Sequence, residues 1–460
     1  MFDPVNEPSF RLEIAGQPQP FVVVAFTGCE SISQPFAFQL DLQFDEPRLD
    51  IASLMFRSAY LSFGGAGTGI HGQIHDLTPL SDDAVPALWR LCLGPKLACL
   101  AQRCNQRIFS GLSVPQILAR VLKEHGIDDR NCRFELRNDY PVREFCTQYR
   151  ESDLTFLQRL CEQERIHYHF QHRKQGHCLI FGDSRRNLRP GDSAPFDAQG
   201  TAPAVRRFKV RAHVDVATQD RSPQPVAEAE TDLPNLRSGM LMPLSGHPFA
   251  DWNHLWLLTR VEHSGSQARV PYYHNRIDAI PWEATFVAFC PGVKPRMSSV
   301  QRGWVVKVDE LRSDSALRIA VQFDWLYQGE GARPSHCWLP VSPQLSAESV
   351  AGLTAGVEVC VSFIEGDPDQ PLITGIFRRT PLNVDNLLST ETSPPSAVGE
   401  APPVLEDLSP EDRQDLLALV QSSQPLVLLC LIPGGGSFMH CRQAICACRT
   451  VAGLGQSGAA

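Results

Sequence analysis

His440, Cys441, Cys446 and Cys448 fall within nine residues of one another. Thiolates and imidazoles in such a group can hold zinc, and the ion would stabilise a segment too small to build its own core. Two of the four are adjacent, however, and the HC-x4-C-x-C spacing matches no common finger or knuckle, so a small metal-free tail is the expected reading. His167, His169, His172 and His177 form a second group. His167 and His169 would lie on one face of a strand about 7 Å apart, too wide for one ion without adjustment. The run of Gly453, Gly455 and Gly458 spells G-x-G-x-x-G, but no strand and helix flank it to cradle a phosphate. Glu365, Asp367 and Asp369 are too closely spaced around Pro368 for a calcium loop and fit a turn. Asp251, His254 and His263 read as solvated loop and strand residues. The chain has no G-x-S-x-G elbow, no H-E-x-x-H helix and no phosphate-binding loop, so neither an enzyme nor a cofactor is expected.

The elements that would carry these residues are mostly strands. Runs at 10–14, 21–26, 36–42 and 72–77 are strand-like and are separated by turn residues at short intervals, which predicts a β-rich first region. At 113–122 the apolar spacing becomes helical, with Ser113 as cap and Gly126 as stop. A second helix is expected after Ser152. Leu154, Leu157, Leu160 and Cys161 would form its buried stripe, while Glu151, Gln158, Glu162 and Gln163 stay wet. An aromatic strand follows at 166–170. Further strand-like runs occupy 317–325 and 336–344. In 352–375, Val357, Val359, Val361 and Phe363 alternate with Glu358, Cys360 and Ser362, and an acidic Gly/Pro turn leads into Pro371, Leu372 and Ile373. A small all-β barrel between about 303 and 377 accounts for these runs.

Beyond the barrel, 389–403 is rich in Pro, Ser and Thr and reads as a linker. Ser409, Pro410, Glu411 and Asp412 form a helix start. Leu426, Val427, Leu428, Leu429, Leu431 and Ile432 make a strongly apolar strip that needs a cover and is the expected interaction surface.

Composition narrows the function classes. The 460 residues are 43% hydrophobic and 20% charged, as in ordinary globular proteins, and have room for about three domains. A net charge of -9 disfavours general binding to nucleic acid or anionic membranes. Fifteen cysteines, scattered singly, suggest small buried hydrophobes in a reducing compartment and not a disulfide framework. The first residues lack the basic start and apolar core of a secretory signal. The apolar stretch at 425–433 is too short to cross a membrane.

Three motifs in order, FDW at 323–325, CWLPVSPQ at 337–344 and GVEVCVSFIEGDPDQPLITG at 356–375, resemble the OB-fold barrel of VgrG-type spike proteins of type VI secretion systems, which are similar to phage tail hub and spike proteins. The segment YRESD at 149–153, with its helix and aromatic strand, resembles the hub region of that family, as do the runs at 243–248 and 257–265. The family commonly carries Gly where this chain has Arg165. The resemblance covers about 8–380. It implies a mainly β protein with minor α: tail-hub-like β-barrel domains over 1–295, an OB-fold barrel over 296–380, then a linker at 381–407 and a short α/β tail at 408–460. The implied role is a structural hub, homotrimeric, docked on an Hcp-type tube protein and presenting a PAAR-type tip or an effector protein. It would assemble in the cytoplasm and leave through the type VI apparatus. The alternatives are the hub of a contractile phage or phage-derived particle, and an effector-carrying spike with cell-wall hydrolase activity. The long β-helix needle typical of the family is not visible in the sequence.

Overall fold

The computed structural model describes residues 10–44, 51–64, 67–80, 87–213, 224–268, 272–284, 294–308, 317–325 and 336–377. They all fall in the first of two compact units, Met1–Arg379. The linker, C-terminal helix, apolar strip (Leu426 to Ile432), the zinc candidates His440, Cys441, Cys446 and Cys448, and the glycines at 453–458 lie outside the described residues.

The chain begins with six strands, β1 (Phe10–Ile14), β2 (Phe21–Ser31), β3 (Ala37–Phe44), β4 (Ser58–Phe63), β5 (Gly69–Pro79) and β6 (Ala87–Gly94). They pair in the order β1-β4-β5-β6-β3-β2, and β2 pairs back to β1, so the sheet closes on itself. Alternation at the two-residue strand period explains the interior: Phe10, Leu12 and Ile14 from β1 and Phe38, Leu40 and Leu42 from β3 are all buried. Closure leaves no exposed edge. Strand β2 is long enough to serve twice. Its residues Ala25–Ser31 pair with Leu255–Ser266, which continues the sheet through Tyr273–Pro281 and Gln224–Thr231 to Val205–His213. Trp256, Phe208 and Met242 centre a second core there.

Between these two parts of the sequence lies a mixed layer: β7 (Cys104–Phe109), α1 (Val114–Glu124), β8 (Cys132–Glu135), β9 (Cys146–Ser152), α2 (Asp153–Gln163), β10 (His167–Arg173) and β11 (Gly176–Gly182). Helix α1 starts at Ser113, whose side chain and that of Gln116 form a reciprocal capping box, and buries Val114, Ile117, Leu118, Val121 and Leu122. Ser152 caps α2 by accepting a hydrogen bond from the Thr155 amide. Both helices stop the same way. After α1, Gly126 is left-handed (φ 65°) and the Ile127 amide reaches back to Leu122 O at 2.9 Å. After α2, Arg165 is left-handed (φ 55°) and the Ile166 amide reaches Cys161 O at 2.7 Å. A side chain that carries a Cβ thus fills a position that favours glycine.

The α2 surface differs from the expected stripe. Glu162 and Gln163 are exposed, but Glu151 and Gln158 are buried, and Phe156 joins the buried face. Gln158 Nε2 donates to Ser33 O and to Tyr168 Oη, both at 3.1 Å. Its partners come from the β2–β3 connection and from β10, which helical periodicity cannot reveal.

The last part is five-stranded: Gln301–Val308, Arg318–Phe323, His336–Pro340, Glu358–Phe363 and Pro371–Ile376. The first strand sits between the second and fourth, the third lies beside the second, and the fifth beside the fourth. A parallel bridge from Val341 to Ile373 and the bond from Ser342 N to Ile373 O (2.9 Å) join the two outer edges. Val359, Val361 and Phe363 point inward with Ile319, Val321, Phe323 and Leu339, as the alternation in 357–363 predicts. All ten described cysteines are free thiols. Among the described residues no helix is long and apolar enough to cross a membrane.

Candidate functional site

The chemistry-bearing side chains cluster within the mixed layer and where it and its neighbouring sheets meet. The first cluster is the joint between the mixed layer and the five-stranded barrel. The acidic turn after Glu358–Phe363 does more than reverse the chain. Asp369 accepts a hydrogen bond from the Thr147 amide at 2.6 Å, and Thr147 Oγ1 donates to Pro368 O at 2.8 Å. Lys294 bridges Asp367 and Asp369 at 2.5 and 2.8 Å. Around this knot, Ile108, Phe145 and Tyr149 pack on the barrel core, Tyr149 meets Trp325 edge-on at 5.8 Å, and Arg318 pairs with Glu144 at 2.7 Å.

Behind Thr147 lies a buried ion pair. Arg159 of α2, 2% exposed, grips Glu151 with two nitrogens at 2.6 and 3.2 Å and also donates to Thr147 O at 3.0 Å. Glu151 faces inward because of a bulge in β9. The register with β7 slips between Asn105 and Gln106, leaving Arg150 as the extra residue at φ 50°. Burial disfavours the Arg159 cation, yet Glu151 and the more distant Asp369 hold it protonated.

Two residues on, Asp153 is fully buried and saturated with donors. His125 Nε2 approaches at 2.7 Å, Arg103 at 2.8 Å, Asn105 and Gln148 at 2.8 Å each, and Arg107 at 3.1 Å. Burial pushes its carboxyl upward, but the His125 bond, the Arg107 charge and the two amides outweigh that and hold it well below the usual carboxylate range. Asp153 thus locks β7, β9, α1 and α2 into one unit.

The second cluster unites β2, β10 and the Leu255–Ser266 and Tyr273–Pro281 strands. Glu30, 2% exposed, lies 2.9 Å from His263 Nε2, 3.7 Å from His172 and 3.6 Å from Arg237. His263 Nδ1 meets Tyr273 Oη at 2.7 Å, and that hydroxyl accepts from Asn275 at 2.9 Å. Burial raises Glu30, while the His172 and His263 bonds and the Arg237 charge pull it well below the usual carboxylate range. His71 and His177 abut this cluster, their Nδ1 atoms 3.1 Å apart. Burial and neighbouring histidines lower His71 to about 4 and His177 to about 3.

The sequence candidates separate accordingly. His167 and His169 do share a face, their rings 6.4 Å apart, while His172 and His177 pair across the β10–β11 hairpin. Among the described residues no group of three or more His, Cys, Asp or Glu is arranged to hold a metal ion. His263 is not solvated as expected; it is 2% exposed and bonded on both nitrogens. Asp251 and His254 are exposed, as expected. Glu30, Asp153 and Arg159 were not legible as a set, because their partners lie up to 233 residues apart in sequence.

These clusters bond strands and helices to each other, so the arrangement provides rigidity. Residues 29–220 match the family described as phage tail baseplate hub (GPD). Two Pseudomonas aeruginosa proteins named type VI secretion system spike protein, VgrG4b and VgrG5, are each 35% identical over 82% of this chain. The chain spans 57% and 58% of their respective lengths. A solved Escherichia coli protein, c3393, is described as a component of the type VI secretion system with structural similarity to the T4 bacteriophage tail proteins gp27 and gp5. It matches with a TM-score of 0.66 at 24% identity, covering 80% of this chain and 99% of that one.

Proposed function

For this chain, a relative of the VgrG-type spike proteins with a phage tail baseplate hub region, we propose a structural role as the hub and spike component of a type VI secretion apparatus. The observation that carries the reading is the succession of two closed β-sheets in one chain, the second fastened to the mixed layer by the Thr147–Asp369 joint. The neighbour relations of the five-stranded sheet support assignment of 296–380 as an OB-fold barrel, with 1–295 as the tail-hub-like region, 381–407 as linker and 408–460 as a separate tail.

In this reading three copies form a ring that docks on an Hcp-type tube. The ring assembles in the cytoplasm and is secreted with the tube. The strip from Leu426 to Ile432 is covered by the other copies or by a PAAR-type tip or effector protein. In a strain with no other spike gene, removing this chain should abolish release of tube protein into the medium, and restoring it should recover release. Unchanged release would overturn the assignment. A chain truncated before 404 should keep its folded hub but lose recovery of tip or effector partners; full recovery would remove the tail from the account.

A further inference from the structure

A groove of about 490 Å³ opens between the 130–133 stretch leading into β8 and the turn of the β10–β11 hairpin. Arg130, Arg133, Arg173 and Lys174 line it, together with Asn131 and Gln175, and no carboxylate appears in its lining. A chain of net charge -9 concentrates four cations here. None is consumed by a buried partner: Arg130 stands 3.8 Å from the exposed Asp128, Lys174 meets the half-exposed Glu13 at 2.8 Å, and Arg133 donates to the Gln171 amide at 3.0 Å.

The groove adjoins a second cavity of about 160 Å³, with which it shares Asn131, Gln175, Gly176 and His177. That cavity has an apolar side formed by Leu97, Ile127, Phe170 and Leu179 and a polar side that includes His71 and Lys96. A rim of cations beside a small apolar recess selects for an anionic chain with an apolar side chain next to its charges.

The geometry points to this groove as a docking site for an acidic peptide segment of a partner protein, its carboxylates on Arg130, Arg133, Arg173 and Lys174 and one aliphatic residue in the recess. A polynucleotide fits less well, because the lining offers no exposed aromatic face for base stacking and the rest of the chain repels a long polyanion. The inference rests on the groove's chemistry and stands whether or not the spike assignment does.

The test uses the full-length chain and fluorescence polarisation with a labelled peptide of alternating Asp and Glu around a central Leu. The controls are the same peptide with Asn and Gln, one with Ser for Leu, and a single-stranded oligonucleotide. The acidic peptide should bind saturably and weaken with added salt. R173E/K174E, on an exposed turn, should weaken it by about tenfold or more, with the melting curve unchanged, while R211E on a distant strand should leave it intact. Replacing the central Leu should also weaken binding. Equal binding of the neutral peptide, indifference to R173E/K174E, preference for the oligonucleotide, or no saturable binding below about 1 mM would each overturn the proposal.

Discussion

At the scale of single residues, Arg165 shows a local rule broken in an observable way. The resemblance to a family that carries Gly here flagged the position, and φ 55° bears that out. Arg165→Gly should raise stability by about 0.5–1 kcal/mol, offset in part by the freedom it gives the unfolded chain. Chemical denaturation measures it, and destabilisation would mean that the guanidinium makes contacts worth more than the strain. The Arg159–Glu151 pair makes a sharper demand. Arg159→Met alone strands a buried carboxylate and should cost about 3–5 kcal/mol, whereas Arg159→Met with Glu151→Leu should recover much of that loss. Equal losses in the two variants would contradict the burial argument.

Histidine sets the acid limit. His71, His167 and His169 are held near 4, and His177 near 3, chiefly by burial, against about 6.5 in an unfolded chain. The folded state keeps them neutral while the unfolded state takes up protons. Their stabilising contribution is therefore complete above about pH 6.5 and is lost progressively as pH falls toward 4. The melting temperature should decline over that window, and His169→Phe should flatten the decline. A melting temperature that is level between pH 6.5 and 4.5 would show these rings to be hydrated. These shifts were out of reach of the sequence: the spacing of His167 and His169 told which face they share, but not that Gly239 comes close enough for a Cβ there to sit 2.8 Å from His169.

At the scale of elements, alternation and capping made much of the fold readable. Strand β1, the start of α1 at Ser113, the cap at Ser152 and the strands around the 364–370 turn follow from local pattern alone. The double use of β2 does not. Its residues look the same whether they pair within the barrel or with Leu255–Ser266, a partner more than 200 residues later. The acidic turn was legible as a hairpin, but its role as a clasp depends on Thr147 and Lys294 arriving from elsewhere. Thr147→Val keeps the shape and removes the hydroxyl donor to Pro368 O, so it should cost about 1 kcal/mol. Hydrogen exchange should then rise in 364–377 and 144–149 while the β1–β6 core stays protected. Uniform loss of protection across both regions would mean that the barrel and the mixed layer unfold as one body without an independent joint.

At the scale of the whole molecule, the described residues form a scaffold in which polar clusters rivet layers together: Asp153 within the mixed layer, Asp369 between that layer and the second barrel, Glu30 between the first barrel and the strands that follow it. Glu30 and Asp153 are buried and Asp369 is partly so, each has several partners, and each links segments distant in sequence. Such a body suits a part that transmits force without deforming, which is what the proposed hub and spike role requires. The threefold assembly is the central claim. Light scattering of the purified full-length chain across a wide concentration range, with imaging of the same sample, tests it most directly. The account predicts particles of three chain masses with a threefold ring outline; a chain that remains a single copy at every concentration, with or without the tube protein, would contradict it.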